Sequence, residues 1–197
     1  MAVEDDRRIS LRGDEPLRRR RLAVLFRALL YLPQCLMVSV WTLLLVPVLP
    51  VSWLALLVAG RLHRRLHRVL SAYLRYCGRT TAWLVLLSDR YPNPLPAHEH
   101  PFSIELPARP PQPRIVTLFR LPLALPALVL SSVFGAILVL AAFGAWVVAL
   151  ALGRTTAGLQ ELGTFCLRYQ LETLAYLLLL TPAPPRLAPP GASSERG

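Results

Sequence analysis

From Ala28 to Gly60 the chain carries no charged residue, and from Leu121 to Gly153 it again carries none. Each run is 33 residues long, whereas a helix crossing the hydrocarbon of a membrane needs only about 20. No core helix of a soluble domain asks for so long an uncharged stretch, so membrane insertion is the first constraint on the fold. Charge content points the same way. Only 17% of the residues are charged, against about 25% in soluble domains.

The two runs belong to a duplication. Shifted by 93 residues, the sequence matches itself without a gap over about 72 positions, about 25 of them identical. Arg21 falls on Arg114, Leu25-Phe26-Arg27 on Leu118-Phe119-Arg120, and Leu32-Pro33 on Leu125-Pro126. Trp53 meets Trp146, Gly60-Arg61 meets Gly153-Arg154, and Leu74 to Tyr76 meets Leu167 to Tyr169. Apolar runs coincide by chance through Leu and Val, but shared Arg, Pro, Trp and Gly positions do not.

The chain therefore divides into a polar tail (1–20), a first membrane repeat (21–92), a linker (93–113), a second repeat (114–182) and a Pro-rich tail (183–197). The tails carry too little apolar surface to form a core and are expected to be disordered. Eight prolines lie between Pro92 and Pro113, a density that blocks helix and favours extended polyproline geometry. Seven arginines and five acids share the first 21 residues, and the apolar run behind them is too long for a signal peptide.

The expected fold is an all-α integral membrane protein. Each copy reads as an apolar segment (Leu22 to Ala59, Ile115 to Leu152) with an early proline, a Gly-Arg punctuation, and a more polar amphipathic helix. A straight helix of 38 residues would be about 57 Å long at 1.5 Å per residue, nearly twice the hydrocarbon thickness of about 30 Å. Arginines stand at both ends of the first segment, Arg18 to Arg21 and Arg61 to Arg68, and positively charged flanks stay cytoplasmic. A helical hairpin within each apolar segment satisfies both facts and is the preferred path. The rival path is one kinked helix from Gln34 to Ala59 that returns through Val69 to Ser88. Either path places the N-terminus, the linker and the C-terminus on the cytoplasmic face of a multipass protein.

The net charge of +11 comes from 22 arginines with no lysine, which in a chain rich in Ala, Leu and Pro suggests a GC-rich bacterial genome. Arg61, Arg64, Arg65, Arg68, Arg75 and Arg79 cover one side of a helix whose other side is Leu62, Leu66, Val69, Tyr73 and Tyr76. A basic amphipathic helix suits nucleic acid or anionic lipid. This one follows directly on an apolar run, so lipid headgroups are the expected partner and nucleic acid is not. The matching stretch of copy two keeps Leu159, Leu162 and Tyr169 but loses the arginine cluster.

Few residues suggest chemistry. His63 and His67 have the i, i+4 spacing of metal ligands, but Arg64 and Arg65 would repel a cation, and His98-Glu99-His100 lies in the linker without a scaffold. Cys35, Cys77 and Cys166 form no metal or disulfide pattern. Asp89 is the one carboxylate that could act as an acid or base, and a single acid without a partner does not make a catalytic pair. No enzyme activity, metal or cofactor is expected.

The repeated text resembles a bacterial membrane family called domain of unknown function 4389. The matching positions are Pro33, Trp53, Leu57 to Arg61 with Gly60, and LRYCGRTTAWLVLLSDRYPNP with Asp89, Tyr91 and Pro92 in copy one. In copy two they are Pro126, Trp146, Leu150 to Arg154 with Gly153, and LETLAYLLLLT. Copy two replaces the Asp-x-Tyr-Pro ending with Pro182-Ala183-Pro184-Pro185. The resemblance implies an integral membrane protein with no assigned activity. The expected function is a non-enzymatic scaffold or accessory of the bacterial inner membrane, contacting anionic headgroups and another membrane protein. The alternative is a transporter or lipid-handling component with helices broken at Pro33, Pro122 and Pro126; a membrane enzyme ranks below both.

Overall fold

The computed structural model describes residues 10–12, 21–88, 91, 103–105, 116–117, 119–182 and 184–185. Four helices carry the fold: α1 (Arg21–Ala59), α2 (Arg64–Leu84), α3 (Arg120–Leu152) and α4 (Ala157–Leu177). Two short strands, β1 (Ser10–Arg12) and β2 (Ser103–Glu105), pair antiparallel with Leu11 opposite Ile104. They bring a piece of the N-terminal tail against a piece of the linker. The Pro-rich tail beyond residue 185, the triplet His98-Glu99-His100, Asp89 and Pro92 lie outside the described residues.

The hairpin expected within each apolar segment does not form. α1 is a single helix of 39 residues that continues through Pro33, Pro47 and Pro50, and α3 is one of 33 residues that continues through Pro126. Proline removes one backbone hydrogen bond, a loss that helices in apolar surroundings tolerate when hydroxyls and neighbouring helices satisfy the backbone. Ser39, Thr42 and Ser52 each donate to the carbonyl four residues back (Cys35, Val38 and Val48), at 2.8, 2.8 and 2.7 Å, whereas the carbonyls that lose an i+4 N–H to Pro33, Pro47 and Pro50 are those of Leu29, Leu43 and Val46. The breaks that the transporter alternative expects at Pro33, Pro122 and Pro126 are absent, since each proline lies within a continuous helix.

Both long helices stop at the Gly-Arg punctuation. Gly60 and Gly153 take left-handed φ of 68° and 69° and donate their N–H to Leu56 and Ala149, at 2.8 and 2.9 Å. This is the αL termination that a residue without Cβ adopts at least cost. The chain then returns along the long helix. Arg27 meets Trp83, Gln34 accepts from Tyr76, and Thr42 bonds Tyr73, so α1 and α2 run antiparallel.

The helices form a cycle, α1 against α2, α2 against α4, α4 against α3, and α3 against α1. Two indole bonds tie the copies together. Trp53, near the end of α1, donates to the Thr117 carbonyl at the start of copy two (2.9 Å), and Trp146, near the end of α3, donates to the Leu84 carbonyl at the end of α2 (3.2 Å). Since Arg27 at the start of α1 also reaches the end of α2, α1 and α3 run in opposite directions. A pseudo-twofold axis perpendicular to the helices thus exchanges copy one with copy two. It leaves two layers, α1 with α3 and α2 with α4.

The layers differ in what they show to the surroundings. α1 contains an apolar span over Leu29–Ala59 and α3 one over Pro122–Leu152, and an 18-residue stretch of each is only 17% and 22% buried. A core helix of a soluble protein would be mostly buried; these two expose Leu43, Val58, Val139, Leu140 and Phe143. Each is long and apolar enough to cross a membrane. The packed interior lies between the layers, where Leu70, Tyr73 and Leu74 of α2 meet Cys166, Leu167 and Leu171 of α4 above Leu45, Leu56 and Leu138.

Candidate functional site

The amphipathic helices end in a structure that the duplication has kept in both copies. Leu86 and Leu179, 93 residues apart, take left-handed φ of 62° and 63°. The N–H of Leu86 reaches the Trp83 carbonyl (3.2 Å) and that of Leu87 the Ala82 carbonyl (2.8 Å). Leu179 and Leu180 repeat this with Tyr176 and Ala175, at 3.2 and 3.0 Å. These are Schellman terminations with leucine in the place that glycine favours. The left-handed conformation costs a non-glycine residue about 1 kcal/mol, and burial of both leucines opposes that cost.

A buried arginine completes each termination. Arg27 Nη1 donates to the Trp83 carbonyl (2.6 Å), and its guanidinium lies 4.9 Å from the centre of the Trp83 ring. Arg120 donates from Nη1 to the Tyr176 carbonyl (2.7 Å) and from Nη2 to the Thr181 carbonyl (2.9 Å), 4.5 Å from the Tyr176 ring centre. A cation at a helix C-terminus meets the negative end of its dipole, and the aromatic face adds cation–π attraction. Burial pulls the Arg120 pKa down to about 10, with Tyr176 acting in the opposite direction. The group stays cationic at neutral pH.

The opposite property is on the outer face of α2. Arg61, Arg64, Arg65, Arg68 and Arg75 are exposed, and Arg79 is half-buried. Burial, and then the like charge of Arg75, lower the Arg79 pKa. The arginines point away from both neighbours, because Tyr73, Tyr76 and Trp83 face α1 while Leu70 and Leu74 lie in the core. The predicted apolar stripe is the buried side, except that Val69 is exposed. In copy two the same positions are Arg154, Ala157, Gly158, Glu161, Arg168 and Glu172. Arg168 and Glu172 pair at 3.5 Å. One copy presents a cationic row; the other is balanced.

The remaining predicted residues serve the fold. Trp53 and Trp146 make the bonds between copies, Gly60 and Gly153 make the turns, and Pro33 and Pro126 lie inside the long helices. Tyr91 packs edge-on against Trp83 at 5.3 Å, which holds the start of the linker beside the α2 termination. His63 caps α2, its Nδ1 accepting from the Arg65 N–H at 3.3 Å. His67 lies 3.4 Å from the Ser71 hydroxyl, so the two histidines have separate partners. Among the described residues, no three His, Cys, Asp or Glu side chains come together as metal ligands would.

Arg27 and Arg120 escaped the sequence reading as site residues. Their signal was present in the Leu-Phe-Arg match of the duplication, where an arginine survives at the edge of an apolar run. Comparison with known families finds one model, described as a domain of unknown function (DUF4389), that matches twice, at residues 21–96 and 114–187. No curated protein and no solved structure matches the chain.

Proposed function

The chain belongs to that family as a tandem pair, and from this premise we propose that it is a non-enzymatic scaffold or accessory protein of the bacterial inner membrane. Its partners are anionic lipid headgroups, met by the arginine row of α2, and a second membrane protein. The tails and the linker lie on the cytoplasmic face.

The observation that carries this reading is the separation of charge from apolar surface. Arg64, Arg65, Arg68 and Arg75 project from α2, while the neighbouring α1 exposes leucine and valine. A cationic face beside a lipid-soluble one fits the boundary between headgroups and acyl chains. Each arginine near an anionic leaflet contributes about 1 kcal/mol, so four contribute up to about 4 kcal/mol.

The test uses the full chain in lipid nanodiscs made from equal parts of phosphatidylglycerol and phosphatidylcholine. The lipids retained around the protein should be enriched in phosphatidylglycerol. The variant R64Q/R65Q/R68Q/R75Q should lose that enrichment, and so should the native protein at 1 M salt, where the Debye length falls to about 3 Å from about 10 Å at 0.1 M. Equal lipid shells for variant and native protein would leave the arginines without a lipid role.

A further inference from the structure

The pseudo-twofold axis decides how such a molecule can sit in a bilayer. The linker starts where Tyr91 packs on Trp83, at the end of α2 and beside the start of α1. It ends at copy two, where the Thr117 carbonyl receives the indole of Trp53 near the far end of α1. The two ends of the linker are therefore at opposite ends of the long helices. If α1 and α3 crossed the membrane, the linker would have to cross it too.

The linker has the wrong chemistry for that. Only helices and closed barrels satisfy every backbone group within the hydrocarbon. Between Tyr91 and Val116 stand eight prolines together with His98, Glu99, Glu105, Arg109 and Arg114. A segment so rich in proline cannot run as a helix, and its ionised groups favour water. By that chemistry the two described ends of the linker, Tyr91 and Thr117, belong on one face, and with them both ends of α1.

We infer that the four-helix unit lies flat in one membrane leaflet, with the α1–α3 layer among the acyl chains, the α2–α4 layer at the headgroups, and the pseudo-twofold axis along the membrane normal. No helix crosses, in place of the multipass path expected from the apolar runs alone.

Four features fit this placement. The apolar spans are 31 residues each, about 46 Å at 1.5 Å per residue, which is too long for a hydrocarbon core of about 30 Å and unconstrained in its plane. A helix with side chains is about 10 Å thick, so one apolar layer fits within a leaflet half of that core. Arginines flank α1 at both ends, and basic flanks remain on the cytoplasmic face without any need for a hairpin. The exposed arginines of α2 then all point toward headgroups, rather than one row of them passing through hydrocarbon.

The inference rests on the membrane reading above, and two measurements on the full chain separate their failures. Carbonate extraction of native membranes comes first; release of the protein would overturn both. Polarised infrared spectroscopy of the reconstituted protein in aligned bilayers then reads the amide I dichroism. Helix axes close to the membrane plane are expected, and axes close to the normal would overturn the flat placement alone. Thiol labelling gives a second reading, in a C35A/C77A/C166A background that first reproduces the native infrared spectrum. Single cysteines at Arg61, Ala97 and Arg154 should all react with an impermeant maleimide from the same face of the membrane. Reaction of Arg61→Cys only from the face opposite to Ala97→Cys would mean that α1 crosses, and would sink the proposal.

Discussion

The two copies share a fold and hold it together by different means. In copy one, besides the arginine termination, two side-chain hydrogen bonds join α1 to α2 through Gln34, Thr42 and Tyr73: Tyr76 donates to Gln34, and Thr42 bonds Tyr73 at 2.8 Å. In copy two these positions are Ala127, Gly135 and Cys166. Likewise Tyr31, Val48, Ser52 and Leu56 become Ala124, Ala141, Ala145 and Ala149, four residues buried along α3. α3 and α4 are the most closely packed pair of helices in the molecule. In lipid, where apolar side chains gain little by leaving their surroundings, helices associate through small residues or through polar bonds between them. This chain uses one device in each copy. What both retain is the aromatic contact of Trp41 with Tyr76 and of Phe134 with Tyr169, at 5.4 and 4.9 Å, and the arginine termination.

Opposite errors at one repeat position would break the comparison most sharply. Leu56 is fully buried, so Leu56→Ala should leave a cavity and cost about 3 kcal/mol. Ala149→Leu, at the same position of copy two, should wedge the close-packed helices apart and cost about 2 kcal/mol. Thermal unfolding in one detergent would rank the two. If Ala149→Leu proved neutral, the close approach of α3 and α4 would not depend on small side chains.

The termination should behave alike in both copies. Removing a charge-assisted hydrogen bond to a buried carbonyl costs about 2 kcal/mol, so Arg27→Ala and Arg120→Ala should destabilise by that order, and Lys at either position should restore only part of it. Lysine keeps the charge without the planar fork. A loss confined to one variant would show that the repeated geometry is not a repeated energy. The smallest effect belongs to the polar bonds of copy one. Tyr73→Phe should cost about 0.6 kcal/mol, the average for hydrogen bonds between helices in a membrane protein. A larger loss would assign Thr42 and Tyr73 a function beyond joining α1 to α2.

Much of this architecture was legible in the sequence because the same Arg, Pro, Trp and Gly positions recur at a shift of 93. The ends of α1 and α3 could be read from Gly60-Arg61 and Gly153-Arg154, since glycine marks the left-handed turn. The arginine row of α2 could be read from its period. The hairpin was the error. It rests on arginines at both ends of the first apolar segment and on a length of about 57 Å, and the structure carries each segment through as one continuous helix instead. The role of Arg27 and Arg120 was hidden for another reason. Each bonds a carbonyl 56 residues further along the chain, and only the packed structure brings them together. The two indole bonds between copies were equally invisible, because a repeat says that two units are alike and nothing about how they meet.

The axis that relates those units has a consequence for chains of other lengths. Under a twofold rotation, each copy offers its partner the same patch that it receives, an isologous contact. Trp53 and Trp146 are the same residue of the repeat, each reaching into the other copy. Nothing in such a contact requires the two halves to be covalently joined. A relative carrying a single repeat would expose one unmatched half of this surface and is expected to pair with itself as a homodimer. Fusion of two such subunits in one chain would then free each to diverge, one toward charge and the other toward close packing.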